Sequence, residues 1–159
     1  MKKLLLLLLI APVLGYGQIG KINDNQLPET TLIGEVTNPL GFIASLKKSV
    51  IDGDNFYMLS FRNFEYQYLV DAEVLSFNAT NDEIEYLFLE LKKGFKSKSY
   101  VTLDIGKSKI MFKQYVSNKN LIITVSGDAN GFFSLTGKQL HTLFNKPFNK
   151  KEFKEFLKQ

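Results

Sequence analysis

A single histidine, His141, and sixteen carboxylates supply nearly all the acid–base and metal-binding chemistry of this chain, which has no cysteine. Without thiols there is no disulfide, no thiolate nucleophile and no thiolate metal site. A metal centre would need three or four convergent ligands, all but one of them carboxylates. The acids fall in small groups, Asp52/Asp54, Asp71/Glu73 and Asp82/Glu83/Glu85. Asp52-Gly53-Asp54-Asn55 has the opening of a calcium loop but lacks the third ligand, the glycine at the sixth position and the closing glutamate. A hairpin turn accounts for it. Asp82 and Glu83 suit the positive end of a helix dipole. No serine stands in a Gly-x-Ser-x-Gly setting, and no glycine pattern cradles a phosphate. His141 lies beside, rather than on, the apolar face of its predicted helix. The expectation is a protein with no catalytic, cofactor-binding or metal-binding residues, and not an enzyme.

What remains is aromatic. Phe61-Arg62-Asn63-Phe64-Glu65-Tyr66-Gln67-Tyr68 alternates so that Phe64, Tyr66 and Tyr68 share one side of an extended segment, with the only arginine, Arg62, beside them. Rings beside a cation suit stacking on sugars, bases or a partner's side chains. The same rings could equally fill a seam inside the fold. Arg62, Phe64, Tyr66 and Tyr68 are the candidate partner-binding residues.

The elements that must position them show an internal echo. Phe77-Asn-Ala-Thr-Asn-Asp-Glu-Ile-Glu-Tyr-Leu-Phe88 recurs 56 residues on as Phe133-Ser-Leu-Thr-Gly-Lys-Gln-Leu-His-Thr-Leu-Phe144. Both copies carry a capping box, Thr80 with Glu83 and Thr136 with Gln139, at the end of a strand. Ile84, Leu87, Phe88 and Leu91 then mark a helix face, Lys92 and Lys93 oppose the dipole, and Gly94 reads as the C-terminal stop. Leu140, Leu143 and Phe144 mark the shorter second helix, closed by Pro147.

Strands are expected at 30–37, 42–50, 55–61, 66–70 and 73–77, and again at 99–105, 109–116, 121–125 and 132–135, with turn signals between them. A constant offset of 56 lays 55–61 on 111–117, 66–70 on 122–126 and Phe64 on Asn120. The fold class is α+β: antiparallel sheets with helices on one face, in a tandem repeat of a four-strand-plus-helix unit. The units run over about 42–94 and 98–146, inside one β-rich domain of 30–148. Residues 149–159 form a short basic amphipathic helix, capped by Asn149 with Glu152 and apolar at Phe153, Phe156 and Leu157. Packing on the body explains it, and docking on a membrane surface or partner is the sharper reading.

The N-terminus sets the compartment. Lys2-Lys3, the apolar run Leu4–Leu14 and the small residues Gly15 and Gly17 have the form of a signal peptide, 1–17, cleaved near Gly17–Gln18. The run is about half of the roughly twenty residues a span requires, so the chain is not expected to cross a membrane. Residues 18–29 read as a flexible lead-in, and the expected location is the periplasm or the medium. Loss of Lys2 and Lys3 lowers the formal charge from +4 to +2.

Nineteen of the twenty basic residues are lysine, which argues against bidentate phosphate recognition. The leading expectation is therefore an exported, non-enzymatic binding protein of the bacterial envelope, its partner an envelope protein or glycan. The alternative is a binder of single-stranded nucleic acid. The tandem four-strands-plus-helix unit is similar to the repeat topology of PUR and Whirly proteins, and that resemblance implies bases stacked on a sheet. Export, the low charge and the scarcity of arginine count against nucleic acid.

Overall fold

The computed structural model describes residues 29–65, 72–115 and 120–159. The predicted leader and lead-in, the expected strand at 66–70, and Tyr66 and Tyr68 with it, lie outside the described residues. The first sheet is a four-stranded antiparallel meander of β1 (Thr30–Asn38), β2 (Gly41–Ile51), β3 (Asp54–Arg62) and β4 (Ala72–Asn78), and α1 (Asn81–Gly94) follows it. The second repeats the plan with β5 (Val101–Ile105), β6 (Ser108–Gln114), β7 (Leu121–Ser126) and β8 (Gly131–Leu135), followed by α2 (Gly137–Leu143). A short α3 (Lys150–Phe156) ends the chain. This is the expected α+β arrangement of two strand-plus-helix units with a short C-terminal helix. Among the described residues no helix is long and apolar enough to cross a membrane.

Local chemistry fixes most of these boundaries. Asp52 and Gly53, both at positive φ (53° and 90°), make the two-residue turn whose twist suits the β2–β3 hairpin. Both capping boxes close. The Thr80 amide donates to Glu83 Oε2 at 2.7 Å while Thr80 Oγ1 accepts from the Glu83 amide at 3.2 Å. Thr136 and Gln139 reproduce the pair at 2.8 and 3.3 Å. The Thr80 bonds hold the Glu83 carboxyl below its ordinary pKa. Asn81, the first residue of α1, accepts from the Tyr57 hydroxyl at 2.9 Å and from Lys48 Nζ at 3.1 Å, which pins the helix start to β2 and β3.

The strand register differs from the constant offset in one respect. The offset of 56 holds from β4 and β8 through the helices, but upstream it would lay the third strand of the first sheet, β3, on the second strand of the other, β6. In the structure β1 supplies the first strand of its sheet, so that unit begins at Thr30 and not near Phe42. The cause is unequal connections. Nine residues, 63–71, join β3 to β4, whereas four, 127–130, join β7 to β8.

Each helix reaches the sheet of the other unit. α1 lies on β6 and against α2, and α2 lies chiefly on β1 while also meeting β2 and, within its own unit, β8. Both crossings use a glycine. A Cβ at Gly34 of β1 would collide with the backbone carbonyls of Thr142 and Leu143, and one at Gly94 would meet the side chains of Phe112 and Leu121. Gly94 is thus the last residue of α1, with Phe95 as its cap, and serves close packing rather than the left-handed stop expected of it. One core results, with Leu46, Phe61 and Leu75 from the first sheet, Phe112, Ile123 and Phe133 from the second, and Leu87, Leu91 and Leu140 from the helices.

A side chain at Gly34 cannot be relieved by a rotamer change, because the obstacle is backbone. Gly34→Val is expected to destabilise the protein by about 3 kcal/mol, the upper end of overpacking costs. A urea titration should show a lower midpoint with an unchanged slope.

Candidate functional site

The two sheets meet at Asn63, just past the end of β3. Its side chain is buried. Oδ1 accepts from the amides of Glu65 at 3.0 Å and Phe132 at 3.3 Å, and Nδ2 donates to the Asn130 carbonyl at 3.3 Å. The Phe64 amide adds a backbone bond to the Phe132 carbonyl at 2.9 Å, and Phe61 stacks on Phe133 with centroids 4.9 Å apart. Gly131, at φ 143°, leaves the space that the Asn63 amide occupies.

This seam determines where the predicted site residues go. Phe64, half-buried, sets its ring edge-on to Phe132 at 6.4 Å. Arg62 turns elsewhere and donates to the Leu40 carbonyl in the β1–β2 turn at 3.3 Å. The structure therefore engages the two at different places, and Phe64 belongs to a larger aromatic surface.

That surface is the outer face of the second sheet. Ladder pairing sets Thr102, Met111, Thr124 and Phe132 in one row and Lys113, Ile122 and Ser134 in the next, while Tyr115 and Asn120 are joined by a 2.8 Å backbone bond. The alternate residues, Ile110, Phe112, Ile123, Val125 and Phe133, are buried under the helices. On the outer face Tyr100 is 52%, Tyr115 46% and Phe132 37% exposed, so these rings meet solvent. Tyr115, Asn120, Ile122, Phe132 and Ser134 line a shallow depression of about 260 Å³. Lys113 Nζ sits 4.2 Å from the centre of the Tyr100 ring, a cation–π pair at the margin. The result is an apolar floor between aromatic walls, with an amide and a hydroxyl at the rim. It can take a flat or apolar group and offer it hydrogen bonds.

Sequence reasoning reached the edge of this surface through Phe64 and missed Tyr100, Tyr115 and Phe132. A signal was present: Met111, Lys113 and Tyr115 alternate against Ile110, Phe112 and Gln114, and Phe132 precedes a second phenylalanine that must face the opposite way.

His141, beside the apolar face of α2, is a packed residue: the chain reverses at Asn145 and folds Phe148 and Phe153 back over it. Its Nδ1 lies 2.6 Å from the Pro147 carbonyl oxygen, and Nε2 is buried with no partner among the described residues. Burial lowers its pKa from the ordinary 6.5, against the pull of the Pro147 carbonyl, and Lys92 lowers it further. Elsewhere, among the described residues, no three His, Asp or Glu side chains converge as a metal site would require.

The fold and its exposed face define a two-unit α+β protein with an exposed aromatic face on its second sheet. The chain matches no family model, no curated protein and no solved structure.

Asn63→Leu keeps the bulk at the seam but strands the Phe132 amide and the Asn130 carbonyl. A loss of about 2–3 kcal/mol is expected, the cost of leaving such groups unpaired. Urea unfolding measures it, and a loss below 0.5 kcal/mol, as for an ordinary surface change, would remove Asn63 from its place as the tie between the sheets.

Proposed function

We propose that this chain is an exported, non-enzymatic binding module whose partner, an envelope protein or glycan, docks on the outer face of the second sheet. The observation that carries the reading is the exposure of Tyr100, Tyr115 and Phe132 together on that face, with Phe64 at its edge. Aromatic rings contribute large apolar area at little rotamer cost and anchor many interfaces. Here Tyr115 and Phe132 border one depression and Tyr100 lies under Lys113 on the same face, which distinguishes a surface kept for contact from scattered exposed residues. Export rests on the leader residues Lys2, Lys3, Leu4–Leu14, Gly15 and Gly17.

A second reading has one observation in its favour. Lys113 over Tyr100 pairs a cation with a ring on a sheet face, as binders of single-stranded nucleic acid do. The expected charge of +2 after loss of Lys2 and Lys3, and a single arginine, weigh against it.

Two measurements test the proposal. Cell fractionation with intact-mass analysis should recover a species beginning near Gln18 in the periplasm or medium; a full-length cytoplasmic species would overturn export. Mature protein should then be titrated against envelope glycans and envelope proteins. Tyr115→Ala and Phe132→Ala should each weaken binding about tenfold or more, as loss of an aromatic anchor does, with the urea midpoint nearly unchanged. Binding that survives both substitutions would move the site elsewhere. Tight oligonucleotide binding that weakens steeply with salt would favour the second reading.

A further inference from the structure

The tail encloses His141 in a box of aromatic rings. Phe88 of α1 meets the imidazole edge-on at 5.1 Å; Phe148 and Phe153, both on the tail, close it at 5.2 and 6.1 Å. A carbonyl only accepts, so the 2.6 Å contact with the Pro147 oxygen places the proton of the neutral ring on Nδ1. Nε2 is left as a buried lone pair facing no donor among the described residues. We infer that His141 is a pH-operated latch whose protonation releases the tail, residues 145–159, from the body while both sheets stay folded.

The argument rests on what the box offers a charged ring. Imidazolium carries two N–H donors, and only Nδ1–H has an acceptor. The charged groups around it are of no help. Lys92 on α1 repels it. Lys146, on the link between α2 and α3, lies 6.0 Å from the Phe88 ring and is paired at 2.5 Å with Glu85 of α1. On α3, Lys150, Lys151 and Lys154 are basic, Glu152 is engaged with the Asn149 amide at 2.8 Å, and Glu155 is the remaining acid. A charge buried without a partner must reach water or revert to neutral.

The tail is the inexpensive way out. α3 contains no fully buried residue, whereas both sheets are anchored in the core. Its hold includes Phe153 against Gly137 and Phe95, Leu157 against the core, Phe156 beneath Lys92 and Lys96, with Nζ 5.0 and 4.1 Å from the ring centre, and the Lys146–Glu85 ion pair on the exposed link. Elements with so little buried surface open at far lower cost than the whole fold. Opening removes Phe148, Phe153 and the Pro147 carbonyl together and gives Nε2 to solvent.

The sign follows from linkage. The enclosed ring titrates below the ordinary 6.5 that a released ring would have. Docking is therefore at full strength above pH 6.5 and weakens as pH falls, by at most about tenfold per unit, until the enclosed ring itself protonates.

Hydrogen exchange on the folded protein tests this, with rates corrected for intrinsic pH dependence. Between pH 7.5 and 5, protection of the α3 amides Phe153–Leu157 should fall as pH drops below 6.5, with a slope of at most about tenfold per unit, the linkage limit for one proton. The amides of β6 and β7 should keep theirs. In His141→Phe, α3 protection should no longer depend on pH. Should that variant not fold, Phe153→Ala supplies the reciprocal readout: the NMR-observed titration of His141 should rise to the ordinary value with the sheets intact. Flat α3 protection in the wild type, parallel loss from α3 and the sheets, or identical pH dependence in His141→Phe would each overturn the latch. So would titration of His141 near 6.5 while α3 stays protected.

Discussion

Each sheet has one apolar face, and the helix that covers it belongs to the other unit. This exchange is the constraint on which the structure depends. α1, which carries buried Leu87 and Leu91, lies on β6, and β1 and β2, which carry buried Val36 and Leu46, lie under α2. Neither unit closes a core alone, so the two fold as one body even though their sequences look like copies. The crossings explain two glycines that no turn requires, Gly34 and Gly94, since helix and strand come within reach of each other's backbone or rings only where a Cβ is missing.

Exchange alone would leave the sheets free to slide, and Asn63 removes that freedom. A buried amide bonded to Asn130, Phe132 and Glu65 tolerates little displacement, since each lost bond leaves part of the amide itself unpaired where it is buried. The stacked pair Phe61 and Phe133 contributes area but little directional preference. The apolar contacts therefore hold the seam together, and the amide sets its register. The register in turn brings Phe64 to the edge of the second sheet's outer face, beside Phe132.

Features governed by neighbours in sequence were legible in advance. Both capping boxes, the Asp52-Gly53 turn and the alternation through β6 follow from spacing alone, and all form as read. Features governed by long-range contact were not. Nothing in the spacing of Leu140, Leu143 and Phe144 says which sheet they cover. The burial of His141 depends on a reversal at Asn145 that brings two phenylalanines back over it. The echo between the copies misled in a specific way, because an offset that holds through strand, cap and helix was carried across connections of unequal length. Of the candidate site residues, Phe64 lies at the aromatic face and Arg62 is tied to the β1–β2 turn.

The two units also supply an internal comparison for the binding surface. They share strand order, caps and a common core, so the demands of folding fall on both alike. Their outer faces nonetheless differ. The first sheet presents Leu32, Lys47, Met58, Ser60, Val74 and Ser76 in its central rows and a half-buried Phe56 in the next, a mixed set with no exposed ring among the described residues. The second presents Lys113, Ile122 and Phe132, flanked by Tyr100 and Tyr115. Three exposed rings are not needed to close a sheet that its counterpart closes without them. Leaving them in water forgoes the stabilisation that burial of the same area would bring, about 25 cal/mol per Å². Exposed rings present in one copy and missing from its structural twin are not explained by the shared demands of folding. That asymmetry, more than the exposure of any single ring, is the argument for placing the proposed contact surface on the second sheet.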